Sequence, residues 1–134
     1  MFGLVDDDKD LLGEPKSSGE EKGGGVKVWI KGEKTGLGPG GYALFKAVDA
    51  EGSVKKACVI RGLSYSKGWK IINGVEKELG FKIIDRQQGG AGGGEAHLTE
   101  KGKRLLKLYE LYYEKVAQAA KIIYDEVFED FKLF

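Results

Sequence analysis

The spacing of apolar residues changes several times along the chain and predicts a strand, three short helices, two further strands and a long helix. Val26 to Ile30 alternates and is rich in β-forming residues, which predicts a first strand. Glu33 to Gly38 is predicted to turn the chain, and a helix is predicted from Pro39 to about Glu51. The apolar residues expected on the buried face of that helix are Tyr42, Leu44, Phe45 and Val48.

Two serines mark where the next two helices begin, because a serine hydroxyl can accept from the unpaired N–H groups of a first helical turn. Ser53 predicts a helix to about Arg61, and Ser64 predicts a third helix to about Leu79. Gly62 and Leu63 form the break between them, and Gly80 ends the third helix. The apolar positions of the second helix are Val54, Ala57, Cys58 and Ile60.

A glycine-rich segment separates two short strand candidates after the third helix. The first is Phe81 to Arg86 and the second is Ala96 to Leu98, with six of the residues 87–94 being glycine or alanine. Two short helices joined by a glycine-containing turn and followed by a β-hairpin are typical of a winged helix-turn-helix. The fold class is therefore mainly α with a small β-hairpin (α+β), ending in a long C-terminal helix.

The long helix is predicted from Thr99, its cap, to about residue 130. Its apolar residues recur at heptad spacing, which favours a helix that pairs with the same helix of a second copy. The alternative is an amphipathic helix folded back on its own domain. The heptad positions are Leu105, Tyr109, Tyr112, Val116, Ala119 and Ile123.

The length and composition of the chain are sufficient for one modest hydrophobic core, and the chain divides into three segments. The chain has 134 residues, of which 41% are hydrophobic. We expect a disordered acidic tail (1–25), a DNA-binding domain (26–98) and a dimerisation helix (99–134). There is no apolar run long enough to cross a membrane and no secretory signal, and Cys58 is the one cysteine, so we expect a cytoplasmic protein.

Charge is distributed unevenly although the formal net charge is only +1. Residues 1–25 contain seven acidic residues and three lysines, a net charge of −4, whereas residues 53–107 contain twelve basic and five acidic residues, a net charge of +7. A basic block indicates either a nucleic-acid partner or a solvated lysine-rich surface. The difference also suggests the hypothesis that the acidic tail competes with DNA for the basic surface.

The third helix combines an apolar face with a polar face. Trp69, Ile72, Val75 and Leu79 are expected to pack on the two preceding helices. The opposite face is polar and cationic, and it carries Tyr65, Ser66, Lys67, Lys70, Asn73 and Lys77. Lysine can contact guanine, asparagine can pair with adenine, and residues near the helix N-terminus usually touch the bases. We therefore expect Tyr65, Ser66, Lys67 and Lys70 to read bases, and Asn73 and Lys77 to meet phosphate or water.

The hairpin is expected to contact the DNA backbone as a wing, because glycine permits a close approach. The residues assigned to this contact are Arg86, Gln87, Gln88, Gly90 and Gly92. The loop lacks the Gly-Lys-Ser/Thr ending of a phosphate-binding P-loop. The G-x-G-x-x-G pattern at Gly36 to Gly41 contains Pro39 and is followed by a second helix, which argues against dinucleotide binding.

Few residues suggest catalysis. His97 is the only histidine, Cys58 is expected in the core, and no cysteine and histidine cluster has metal-ligand spacing. We therefore expect no enzyme activity, no cofactor and no metal.

The chain from Lys27 to about Glu110 resembles the N-terminal domain of the ModE-type molybdate-responsive regulators, relatives of the LysR winged-helix regulators. The matching motifs are Val28-Trp29-Ile30, Gly38-Pro39-Gly40, Gly52-Ser53 with Ala57, Leu63-Ser64-Tyr65 with Trp69 and Ile72, Arg86, the glycines of 89–94, and Leu98-Thr99-x-x-Gly102 with Leu105-Leu106. The departures are Ala91 in place of a cation, Glu95 in place of a small residue, and Gly41 in place of an arginine.

The resemblance implies a homodimeric regulator of transcription with a link to molybdate or tungstate transport genes. It implies that the segment from Ser64 to Lys70 enters the major groove, and that the first strand, with Val28 and Ile30, joins the long helix in the dimer interface. Because the sequence has no segment matching the family's oxyanion-binding domain, we expect no direct molybdate binding. Two other hypotheses stay open from the residues alone, namely a protein-interaction module and a nucleoid-type DNA binder with little sequence preference.

Overall fold

The computed structural model of the protein describes residues 22–86 and 95–134. It has four helices and two small antiparallel strand pairs in the described residues. In chain order the elements are β1 (Ile30–Lys31), β2 (Gly36–Leu37), α1 (Pro39–Glu51), α2 (Val54–Arg61), α3 (Tyr65–Leu79), β3 (Ile84–Arg86), β4 (Ala96–Leu98) and α4 (Glu100–Val127). The predicted winged helix-turn-helix fold is thereby confirmed.

The first strand differs from its prediction. Instead of one strand over Val26 to Ile30 and a turn to Gly38, the chain forms a small hairpin in which Ile30 pairs with Leu37. Before this hairpin, tyrosines of α4 bind two backbone carbonyls of the segment predicted as a strand. The Tyr109 hydroxyl donates to the Val28 carbonyl at 2.8 Å, and the Tyr113 hydroxyl donates to the Val26 carbonyl at 3.3 Å.

The helix boundaries of α1, α2 and α3 confirm the predicted caps. The Ser53 and Ser64 hydroxyls each accept from the backbone N–H three residues later, at 3.1 Å in both cases. Gly52, Gly62 and Gly80 end the three helices with positive φ angles of 69°, 70° and 89°, a conformation that costs glycine little. The three helices pack around a core that includes Leu44, Phe45, Val48, Ala57 and Ile72.

Not every apolar residue of α2 is buried. Ile60 is 57% exposed, and its neighbour Val59 is 73% exposed. The buried face of α2 instead consists of Val54, Ala57 and Cys58. These residues lie three and four positions apart, so they share one face, and Ile60 falls outside that arc.

The wing strands β3 and β4 pair with Ile84 opposite Leu98, Asp85 opposite His97, and Arg86 opposite Ala96. The first wing strand is therefore shorter than the predicted Phe81 to Arg86. The backbone N–H of Ala96 donates to the Gly52 carbonyl at 3.0 Å and attaches the hairpin to the end of α1. The wing loop, residues 87–94, and most of the acidic tail predicted over 1–25 lie outside the described residues.

The long helix α4 begins at the predicted cap and extends for about 42 Å, taking ~1.5 Å per residue. The Thr99 hydroxyl accepts from the Gly102 N–H at 2.9 Å and donates to the Lys82 carbonyl at 2.8 Å. Leu106 and Tyr109 are buried in the common core. The Tyr42 hydroxyl donates to Glu110 at 2.5 Å, and the Tyr42 ring stacks on Tyr109 at 5.0 Å. The N-terminal part of α4 is therefore fixed to the domain by both apolar and polar contacts.

Candidate nucleic-acid interface

The polar face predicted on α3 is exposed along its whole length. Ser64 and every polar residue assigned to this face are exposed, as is Arg86 on the wing. Ser66, Lys70, Asn73 and Lys77 are spaced four, three and four residues apart, so they form one line along the helix, which we call the outer line. Lys67 lies to one side of it, and Tyr65 lies to the other. The structure thus brings the predicted residues of α3 together on one convex surface.

The two carboxylates of α3 do not lie on this surface, because backbone amides elsewhere hold them. Glu76 is only 7% exposed, and its Oε2 accepts from the Ile83 and Ile84 N–H groups at 2.7 and 3.0 Å. Glu78 accepts from the Glu33 and Lys34 N–H groups at 2.7 and 3.0 Å. The outer line therefore presents two lysines, an asparagine and a serine without a neighbouring carboxylate from its own helix.

The position of Glu78 has an electrostatic consequence. Desolvation raises the pKa of this carboxyl, but the backbone hydrogen bonds from Lys34, Glu33 and Thr35 together outweigh it and lower the pKa below its ordinary value. Glu78 therefore stays ionised and fastens the β1–β2 turn to the end of α3. Sequence reasoning missed both glutamates, since only their tertiary partners distinguish them from solvated helix residues.

The N-terminal turn of α3 is fixed by its cap. The Ser64 hydroxyl oxygen accepts from the Lys67 N–H, so this serine acts first as a helix cap, and its hydroxyl proton and second lone pair are left for a ligand. The cap orients the first turn and its positive dipole end, which favours an anion such as a phosphate.

The close crossing of α2 and α3 depends on a glycine. Gly68 is buried, and a Cβ added at this position would lie against Cys58 Sγ at a distance that real Cβ atoms do not adopt. The crossing of these two helices sets the angle at which α3 leaves the domain. Cys58 is only 2% exposed, which confirms its predicted place in the core, and this burial raises the pKa of its thiol.

The wing meets α3 through an aromatic contact that the sequence analysis did not predict. The Arg86 guanidinium carbon lies 4.2 Å from the centre of the Trp69 ring. Trp69 is half-buried rather than fully in the core, and its ring is edge-on to Tyr65 at 6.4 Å and 84°. Ile72 and Val75 are buried as predicted. Gln87, Gln88, Gly90 and Gly92, the remaining wing residues of the prediction, lie outside the described residues.

The predicted dimer residues are not all on the surface. Val28 and Tyr109 are buried within the protomer, 5% and 1% exposed, so their side chains pack inside the domain. Ile30, Leu105 and Val116 are half-buried, and Tyr112, Ala119 and Ile123 are exposed. Four large apolar residues of α4 that the heptad did not include are also exposed, namely Leu108, Leu111, Ile122 and Val127.

Other kinds of site find little support. No group of three or more histidine, cysteine, aspartate or glutamate side chains that could hold a metal ion occurs within residues 22–86 and 95–134. His97 is exposed on the wing, with its Nε2 3.4 Å from Glu95. Among these same residues, no helix has the length and hydropathy needed to span a membrane.

Comparison with known proteins connects this domain to a group of regulators. The transcriptional regulator ModE of Yersinia pestis is 38% identical over 73 residues, which are 54% of this chain and 28% of that protein. The DNA-binding transcriptional dual regulator ModE of Escherichia coli strain K12 is 32% identical over 88 residues, 66% of this chain and 34% of that protein. The ModE of Haemophilus influenzae is 30% identical over 90 residues, 67% and 35% respectively.

The chain thus spans about a third of the length of these relatives. No family model matches it. The relatives nevertheless support the resemblance to a ModE-type N-terminal domain that was found from the sequence.

Proposed function

We propose that this ModE-type domain belongs to a transcriptional regulator and that it reads DNA by placing α3 in the major groove. The observation that carries the proposal is the outer line, in which Ser66, Lys70, Asn73 and Lys77 are exposed on one side of a helix whose own carboxylates are held elsewhere. Lysine and asparagine are side chains that contact guanine and adenine edges in that groove. The name of the Escherichia coli relative, a DNA-binding transcriptional dual regulator, agrees with this proposal.

In the proposed complex, the N-terminal turn of α3 lies deepest. Tyr65, Ser66, Lys67 and Lys70 contact bases, while Asn73 and Lys77 reach the phosphates or their water. The wing contacts the neighbouring backbone through Arg86 and through the loop residues assigned from the sequence. Basic residues of α2, Lys55 and Lys56, are exposed and add to the attraction of phosphate.

Fluorescence anisotropy with two labelled duplexes tests this proposal. One duplex carries the promoter of the protein's own operon or of adjacent transporter genes, and the other carries the same bases scrambled. A regulator should prefer the promoter duplex by about 10³-fold or more, and both affinities should fall with salt. Lys70→Ala should reduce the preference.

Lys132→Ala is the matched control, because it removes the same charge from an exposed residue beyond the end of α4. Equal and salt-sensitive affinity for both duplexes would support the nucleoid-type binder instead. Absence of binding even at low salt would refute DNA recognition and favour the protein-interaction module.

We also propose that the chain forms a homodimer through α4. Leu108, Leu111, Tyr112, Ile122 and Ile123 are exposed on neighbouring faces of this helix, between 44% and 57%. These residues are large enough that a second copy of the helix is the natural cover for them. Tyr109 is buried within its own protomer and is not available to a partner. The proposed contact face is therefore rotated about the axis of α4 relative to the face that the heptad positions define.

Light scattering at micromolar concentration tests the dimer. The double variant Leu111→Glu, Ile122→Glu should give a monomeric mass where the parent chain gives a dimeric one, since each glutamate would place a charge in the interface. Val59→Glu is the matched control, because it makes the same kind of change at an apolar residue that is 73% exposed on α2. A monomeric parent chain would contradict the proposal.

The regulated genes are proposed to concern molybdenum. This proposal rests on the names of relatives such as the molybdenum transport protein ModE of Azotobacter vinelandii, which is 32% identical over 66 residues. We propose that the domain acts in the cytoplasm, without enzyme activity, and that these residues do not themselves bind molybdate. A rise in thermal stability on adding molybdate would contradict the last statement.

A further inference from the structure

Arg86 reaches back from the wing to the groove-facing helix. Opposite residues in an antiparallel pair share one face of the sheet, and Arg86 lies opposite Ala96, which is buried. The Arg86 side chain is therefore on the inner face of the wing, towards α3. There its guanidinium group lies over the Trp69 ring at 4.2 Å, within the range of a cation–π contact.

We propose that Arg86 and Trp69 form a positioning pair that holds the wing against α3, so that helix and wing meet DNA in a fixed mutual orientation. The inference rests on the proposed DNA-binding function and adds a specific role to two residues. Trp69 is also edge-on to Tyr65, so the pair extends to the first turn of the proposed base-reading segment. When the flat face of a guanidinium lies on an aromatic ring, its N–H groups stay in the guanidinium plane and are still available to bind a phosphate.

This role differs from that of a simple positive charge. If Arg86 supplied only charge to the DNA backbone, lysine would replace it without loss. If the stacking orients the wing, lysine would keep the charge but lose the planar group that fits the Trp69 ring. Arg86→Lys therefore separates the two roles, and Arg86→Gln removes both.

The anisotropy assay with the promoter and scrambled duplexes provides the first test. Arg86→Lys should weaken binding to the promoter duplex about 3- to 10-fold, the range expected for a partly exposed cation–π contact, and leave the salt dependence unchanged. Arg86→Gln should weaken binding further and lower the slope of log affinity against log salt by about 1. Arg104→Lys is the matched control, because it is the same substitution at an exposed arginine of α4.

A double-variant cycle identifies the partner. Trp69→Leu and the double variant Trp69→Leu, Arg86→Lys should bind the promoter duplex with nearly equal affinity, because the pair is already broken in the single variant. Urea unfolding of each variant separates this effect from lost stability. If Trp69→Leu does not fold, Trp69→Phe replaces it in the cycle, because phenylalanine keeps an aromatic side chain but attracts a cation less strongly than tryptophan does.

An NMR measurement without DNA provides an independent readout. The δ-methylene protons of Arg86 should be shifted upfield by the Trp69 ring in the parent chain, and this shift should disappear in Trp69→Leu. Parent-like promoter binding by Arg86→Lys would overturn the positioning role alone. Failure of the parent chain to bind any duplex would overturn the proposed function and this inference together.

Discussion

Replacing Gly68 by alanine should disturb the crossing of α2 and α3, because the one added carbon atom has no room between the two helices. The added Cβ would fall against Cys58 Sγ, while the other nearby atom, Cys58 Cβ, is at an ordinary 3.8 Å. Overpacking of a close-packed core costs about 1–3 kcal/mol, and alanine in place of glycine within a helix returns about 1 kcal/mol. We therefore expect Gly68→Ala to lower the free energy of unfolding by about 0–2 kcal/mol.

Removing the obstructing sulfur should reverse the sign of this effect. In a Cys58→Ala background the new methyl group has room, so Gly68→Ala should stabilise the protein by up to about 1 kcal/mol through helix propensity. Urea unfolding of the parent, the two single variants and the double variant measures the coupling, expected at about 1–3 kcal/mol. If Gly68→Ala changes the free energy of unfolding by the same amount in both backgrounds, the sulfur is not what limits the approach of the two helices.

Three further predictions concern the carboxylates and the tail. Glu76→Ala should lower the free energy of unfolding in urea by about 2–4 kcal/mol, because it leaves two buried N–H groups unpaired. Glu76→Gln keeps an acceptor oxygen and should retain most of the stability. Equal losses in the two variants would contradict this reasoning. The pKa of Glu78 is lower in the folded state than in the unfolded state, so the ionised carboxylate stabilises the folded protein. This stabilisation is fully present above the unfolded pKa and is lost as the pH falls through the folded pKa. The urea midpoint of the parent chain should therefore fall more steeply below about pH 4.3 than that of Glu78→Gln, and parallel curves would refute the assignment. Removing residues 1–21, which contain all seven acidic residues of the tail, should raise affinity for both duplexes in the anisotropy assay if the tail competes with DNA; unchanged affinity would exclude that competition.

The local signals in the sequence determined where the helices begin and end. Ser53, Ser64 and Thr99 are caps in the structure as predicted, and Gly62 and Gly80 end their helices. These signals are reliable because a cap satisfies N–H groups within its own first turn, and glycine adopts a positive φ without help from distant residues. The exposed polar face of α3 was likewise predictable, since helical spacing alone places those residues together.

The tertiary structure decided which partner each face or charged group would have. Glu76 and Glu78 are separated by a single residue, yet they bind the backbone on opposite sides of α3, because Ile83 and Glu33 come from different parts of the chain. Heptad spacing identified an apolar stripe on α4 but did not show that Tyr109 would be taken by the domain core and that Leu108 would be left exposed. Spacing fixes the faces of an element, whereas the choice of what covers each face depends on contacts between residues far apart in sequence, and the stacking of Arg86 on Trp69 is such a contact.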